Sequence, residues 1–384
     1  MLTGHDESLM HQVGTTFDHA GVSDHRFFDR MWLGGHCADN VKLISGIAAY
    51  KNTNAFDGYF CVMKDGVQYN LRATRRFRPQ LGELAVGPLS YEIVEPLRQV
   101  RVRLAPTAES PIAADILFTG RFPAYEEGRH FSRVNGAVLQ DYMRYDQIGR
   151  LEGHIVVEGE QLAVDGWFGG RDHSWGTRLR MGGYDPDTFG VDVTEEAETD
   201  PARGNMLLWL GFDAGHVGGQ LQRVEDGHGN LQMVSGHVFK QGDPRTYQVV
   251  AVEYEANFVA GTRVFCTATV RATLDNGERL DIAATALLSP WAYKGAGYDS
   301  GFDDERGLGL CRGDRVEIDR YDLADPERVV LGDGRCIRPA HREQPVTLTV
   351  NGRPGLGHMP LITRGHVARY ELTRPATNKR GQSD

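Results

Sequence analysis

The chain has 384 residues, 40% of them hydrophobic, and a formal net charge of −10 at pH 7. That length favours two domains with sizeable cores, and the intermixed acids and bases offer no basic stripe to a polyphosphate, which argues against a nucleic-acid partner. The five cysteines form no Cys-x-x-Cys pair and are odd in number, which fits a reducing compartment rather than a disulfide framework.

The chain opens MLTGHDESLMHQVG, with neither a basic nor an apolar leader region. No later apolar run approaches the roughly 20 residues that a membrane span needs, so the expectation is a cytoplasmic protein. Ser23–Leu33 carries apolar residues at 27, 28, 31 and 32 behind a Ser/Asp start and reads as a short N-terminal helix, able to cover a barrel end or to pack Phe28 and Trp32 on a cavity. His5, His11 and His19 read as solvated bystanders. Period-two strands follow at Val41–Tyr50, Gly58–Lys64, Val67–Phe77, Val100–Leu104, Ala113–Phe122 and Ile155–Val157, with Asp65-Gly66 as a hairpin turn. Tyr184–Asn205, with the acidic run Glu195-Glu196-Ala197-Glu198, reads as a solvated connection. A second set of strands covers Met206–Phe212, Gln220–Val224, Leu231–Phe239, Gln248–Tyr254, Arg263–Leu274, Arg279–Leu288 and Arg315–Tyr321. Residues 335–384 are proline-rich, show strands at Val346–Val350 and Val367–Leu372, and are expected to wrap the second unit.

The densest chemistry lies in Gly169-Gly170-Arg171-Asp172-His173-Ser174-Trp175-Gly176-Thr177-Arg178. Arg, Asp and His side by side are costly unless they pair with one another or with a ligand, and such pairing sets a proton donor's pKa. If this stretch is extended, Arg171, His173, Trp175 and Thr177 share one face, while Asp172, Ser174 and Arg178 share the other. Asp172 then reaches His173 only across a bulge, unless a neighbouring strand intervenes. An imidazole beside an indole suits protonation of an alkene, enol or ether. The plainer alternative has Asp172 capping a turn and pairing Arg178 while Trp175 plugs a barrel end. In the preceding segment Tyr142, Arg144 and Asp146 share one face and Met143, Tyr145 and Gln147 the other, so one tyrosine alone should line any given cavity. Either phenol could donate to a substrate oxygen or be a satisfied buried group. Trp291, Tyr293 and Tyr298 lie in a glycine-rich loop that could lid a cavity or link two strands.

Gly-x-Arg-Asp-His-Ser-Trp-Gly-x-Arg, preceded by YMRYDQIGRLEG over Tyr142–Gly153, resembles the lipocalin-like superfamily of carotenoid 1,2-hydratases (hydroxyneurosporene synthases), AttH-like proteins and fungal Diels–Alderase-type cyclases. The likeness is specific over residues 135–180, extends to strand order over 40–320, and does not reach the last 50 residues. It implies an all-β chain of two consecutive calycin- or lipocalin-like antiparallel barrels with minor helix. Residues 1–38 would form an N-terminal extension, 39–184 the first barrel, 185–205 a linker, 206–375 the second barrel and 376–384 a flexible tail. It also implies hydration, cyclisation or isomerisation without redox cofactors.

Motifs for other chemistries fail. Gly307-x-Gly309 and Gly295-x-Gly297 both miss dinucleotide spacing by one residue, Ser174 has no glycine two residues before it, and the histidines form no HExxH. The expectation is therefore an enzyme with no cofactor and no metal, a lyase, hydratase or isomerase acting on a bulky hydrophobic terpenoid or aromatic. His173, Asp172, Arg171 and Tyr142 are the candidate catalytic residues, and Trp175, Tyr145, Gln147, Trp291 and Tyr298 the candidate substrate contacts. The same acid–base groups would serve a lyase releasing a small aldehyde from a lignin-like aromatic dimer. A non-catalytic carrier is the rival, distinguished by few titratable side chains facing its cavity. A homodimer is compatible with the sequence.

Overall fold

The structure, a computed structural model, describes every residue except 1, 3, 8, 12–13, 40, 135, 183–203, 288–289, 326–327, 339–341 and 373–384. The expected tail over 376–384, and all but the end of the expected linker over 185–205, lie outside the described residues.

The first run of strands is β1 (Phe27–His36), β2 (Lys42–Tyr50), β3 (Ala55–Lys64), β4 (Val67–Arg76), β5 (Ala85–Val86), β6 (Leu89–Glu95), β7 (Gln99–Leu104), β8 (Ile112–Gly120), β9 (Tyr125–Glu126), β10 (His130–Val134), β11 (Ala137–Val157) and β12 (Glu160–Arg178). The second run is β13 (Asn205–Asp213), β14 (Val217–Asp226), β15 (Leu231–Lys240), β16 (Thr246–Phe258), β17 (Phe265–Leu274) and β18 (Arg279–Ala286). After β19 (Trp291–Ala292) the chain returns to the first sheet with β20 (Arg315–Asp322), β21 (Val329–Val330) and β22 (Cys336–Ile337). It then pairs β23 (Arg342–Glu343) with β19 and re-enters the second sheet with β24 (Pro345–Val350), β25 (Arg353–His358) and β26 (Leu361–Arg364).

The second sheet closes: β13 pairs with β14 and, through β15–β18, β24 and β25, the hydrogen-bonded circuit returns to β13. Its strands alternate cleanly, as in Arg279–Ala286, where every second residue is buried, because one face meets the core and the other meets water. The first sheet runs β22-β21-β20-β4-β3-β2-β1-β12-β11-β8-β7-β6-β5. It curls until Val86 and Leu89 lie over the bare backbone of Gly58, enclosing a core that includes Leu33, Phe60, Leu71, Phe118 and Leu151. This is an all-β, lipocalin-like architecture.

Two expectations are corrected. The stretch read as a helix over Ser23–Leu33 is mostly strand β1, and among the described residues the only helices are short 3-10 turns. Phe28, Arg30 and Trp32 of β1 pack beneath other elements while Leu33 enters the core, so both faces are buried. A strand apolar on both faces shows no period of two and can mimic a helical stripe. Arg315–Tyr321, assigned to the second set of strands, pairs with β4 in the first sheet instead. This return places Trp291, Tyr293, Ala296 and Tyr321 against Trp32, Tyr59 and Cys61, covering the outer face of the first sheet. No helix of the described residues is long and apolar enough to cross a membrane.

Candidate functional site at the β11–β12 hairpin

The residue-rich motif lies at the end of β12, between β1 and β11. Directly opposed residues of antiparallel strands point their side chains to the same face. The register sets Met31, His173 and Tyr145 in one row, Leu33, Arg171 and Gln147 in the next, and Asp29, Trp175 and Met143 in a third. All of these belong to the inner face. The outer face carries Trp32–Asp172–Asp146, Arg30–Ser174–Arg144 and Phe28–Gly176–Tyr142.

On the inner face His173 Nε2 lies 2.7 Å from Asp29 Oδ1, a carboxylate diagonal to it on β1. The Tyr145 and Trp175 rings meet the imidazole edge-on, with centroids at 5.5 and 5.4 Å. Behind them Arg171 Nε donates to Gln147 Oε1 at 2.8 Å, its Nη1 lies 3.5 Å from the Tyr145 hydroxyl, and its guanidinium stacks on Phe118. Gln147 is anchored in turn by donating to the carbonyls of Leu97 and Phe122. Burial pulls the Arg171 pKa down and pushes that of Tyr145 up, the latter opposed by the adjoining Arg171 charge. His173 and Asp29 open onto a cavity of about 250 Å³ whose wall includes Met31, Ile47, Phe56, Phe77 and Leu84, with His5, Phe17 and Lys51 at its rim.

The outer face is sealed and crowded with charge. Asp172 Oδ2 lies 3.9 Å from Arg30 Nη2, and Glu127 is shared by Arg144, His130 and Gln220, each at 2.6 Å. Burial, then the neighbouring Glu127 carboxylate, push Asp146 well above the usual carboxylate range. Among the described residues Arg30 Nε and Nη1, Asp172 Oδ1, Ser174 Oγ and Asp146 Oδ2 are buried with no hydrogen-bond partner. Tyr142 stacks on His130 at 4.5 Å. Trp291 packs on the His358 ring at 5.0 Å, and the Tyr298 ring lies 5.6 Å from the Arg30 guanidinium.

The candidate residues therefore divide. His173, Arg171, Trp175, Tyr145 and Gln147 come together on the inner face, as alternation requires. Asp172, Tyr142, Trp291 and Tyr298 do not join them. Asp172 and His173 stand on opposite faces, as alternation requires, with no bulge to join them, and the carboxylate that meets the imidazole is Asp29 from the neighbouring strand. Two contributors were missed. Asp29 is 144 positions from His173, and only the strand pairing brings it near. His5, read as a bystander, stands at the cavity rim.

A model of a family of unknown function, DUF8625, matches residues 2–370. The chain belongs to the DUF8625 family. No curated protein matches the sequence. Among solved structures, this DUF8625 member is similar to an AttH-type protein of Nitrosomonas europaea, with 14% identity over 88% of this chain and 92% of that one and a TM-score of 0.50. It is also similar to kievitone hydratase from Nectria haematococca (12% identity, 89% and 93% covered, TM-score 0.45) and to the protein CghA (11%, 89% and 90%, TM-score 0.44). At these identities what the DUF8625 chain shares with the first of them is fold.

Proposed function

We propose that the protein is a lyase of the hydratase type, or an isomerase, which moves a proton between His173 and an alkene or enol of a bulky apolar molecule. The observation that carries this reading is the 2.7 Å contact of His173 with Asp29 at the wall of an apolar cavity. A carboxylate on one ring nitrogen fixes the imidazole's orientation and stabilises the imidazolium, leaving the other nitrogen for the substrate. In the hydration direction, His173 as imidazolium gives its proton to the alkene carbon, water adds to the resulting cation, and the proton that this water sheds returns to His173. The Trp175 and Tyr145 rings flank the imidazole, where aromatic faces favour developing positive charge. The sequence resemblance supplies the reaction style. A carrier would turn few titratable groups to its cavity, whereas His5, Asp29, Lys51 and His173 all border this one.

The test incubates the full chain with acyclic terpenes and alkenyl arenes in D2O and in H2(18)O and reads isotope uptake by mass spectrometry. Uptake that vanishes in His173→Ala supports the reading. Saturable ligand binding with no uptake from any of these compounds would establish the carrier instead.

A further inference from the structure

The outer face of the same hairpin holds a charge arrangement that the proposed chemistry does not use. Ser174 stands in register between Arg30 on β1 and Arg144 on β11. Arg144 is occupied by Glu127, to which its Nε and Nη2 donate at 2.9 and 2.6 Å. Arg30 is not so served: its nearest acid is Asp172 at 3.9 Å, and its Nε and Nη1 are buried without a partner among the described residues. A third guanidinium enters from Arg178, which lies over the Phe28 and Tyr142 rings at 5.2 and 5.9 Å. Those two rings lie 6.0 Å apart, on either side of Gly176 in the strand register.

No acid among the described residues lies within ion-pair distance of Arg178. Burial, then the neighbouring Arg30 charge, draw its pKa down to about 10. Arg30 is buried and Arg178 half-buried, and two guanidiniums that repel one another there are costly unless an anion joins them. The ion pairs point the same way. Arg144 lies against both Glu127 and Asp146, the latter at 3.6 Å, whereas among the described residues Arg30 and Arg178 have between them only Asp172, 3.9 Å from Arg30. That pair is short of one negative charge. Arg30 and Ser174 supply donors that are fully buried and unused, and such atoms in a native fold point to an absent hydrogen-bond partner. The rings of Phe28, Tyr142 and Tyr298 wall the spot.

We propose that Arg30, Ser174 and Arg178 form a binding site for the carboxylate of an aromatic acid, separate from the His173 cavity and on the opposite side of the same strand. A guanidinium fork matches a planar carboxylate in two parallel hydrogen bonds. One missing charge suits a monoanion better than a phosphate, and the aromatic walls suit a ring attached to it.

Calorimetry on the full chain tests this with benzoate, its neutral counterpart benzamide, and inorganic phosphate. Benzoate should bind at least about tenfold tighter than benzamide or phosphate. That preference should disappear in Arg178→Met, weaken in Ser174→Ala and persist in His173→Ala. Equal affinity for benzoate and benzamide would overturn the proposal. So would phosphate binding as tightly as benzoate, or unaltered benzoate binding in both Arg178→Met and Ser174→Ala. Because none of these readouts uses turnover, the site can fail while the His173 chemistry stands, and the reverse.

Discussion

The two faces of strand β12 differ in how their polar groups are satisfied. On the inner face the groups that the sequence singled out are largely bonded: His173 has Asp29, Arg171 has Gln147, Gln147 has two carbonyls, and of their polar atoms Arg171 Nη2 is the one left buried without a partner among the described residues. That face is also open, through a cavity lined by Met31, Ile47 and Phe56. On the outer face Arg30, Asp172, Ser174 and Asp146 are sealed and incompletely bonded. One run of ten residues thus builds two environments, because a strand sends consecutive side chains to opposite sides. Groups adjacent in sequence need not act together, whereas groups on neighbouring strands do.

The most drastic way to break the comparison is to damage both faces at once. Gly176 has φ of +137°, and a Cβ there would lie 2.3 Å from the Asp141 carbonyl oxygen. Gly176→Val should therefore cost more than about 3 kcal/mol in urea unfolding. Near-native stability in that variant would mean that the β11–β12 register is wrong.

The faces separate next through activity. His173→Ala should fold normally and lose at least about a hundredfold in turnover, with a smaller loss in Asp29→Asn. Asp172→Asn should stay within about threefold of the parent rate. Equal losses at Asp172 and Asp29 would erase the distinction between the faces.

A third variant sharpens the contrast through pH. Asp57 lies on the covered face of β3, and burial pushes its carboxyl up to about 7, against the Gly309 amide that donates to it. An unfolded aspartate ionises near 3.9, so between about pH 4 and 7 the folded state holds the extra proton and stability falls as pH rises. Asp57→Asn should remove that fall and stabilise the protein at pH 7 by on the order of 2 kcal/mol, with no gain below pH 4. Melting curves across this range provide the check, and a pH-independent effect would contradict it.

The smallest effect is expected at the open end of the inner face. Trp175 is exposed, meets the His173 ring edge-on and tilts against Tyr145. Trp175→Phe should raise KM by about threefold and leave the Tm unchanged. A large fall in kcat would instead place the indole at the reacting atoms.

Much of this arrangement was legible from the sequence because it follows from alternation alone. The parity of Arg171, His173 and Trp175, and the separation of Tyr145 from Tyr142, needed only the assumption of an extended chain, whereas which tyrosine meets His173 waited for the β11–β12 register. What stayed hidden depended on pairing over long separations. Asp29 lies in the stretch that imitated a helix because Phe28, Trp32 and Leu33 are buried on both faces of β1. The return of Arg315–Asp322 to β4 was equally invisible, since a strand's pattern tells which face is apolar but not which sheet receives it. The burial of Arg30 was hidden as well, since it comes from elements placed over the strand, the Tyr298 ring among them.

The most direct test of the account is the imidazole of His173 itself, observed by nitrogen-15 NMR in the parent, Asp29→Asn and Asp172→Asn proteins. The Nε2 proton of His173 should give a slowly exchanging, downfield resonance in the parent, disappear into solvent exchange in Asp29→Asn and remain in place in Asp172→Asn. Loss of that resonance in Asp172→Asn, with its retention in Asp29→Asn, would contradict the division of the strand into two faces.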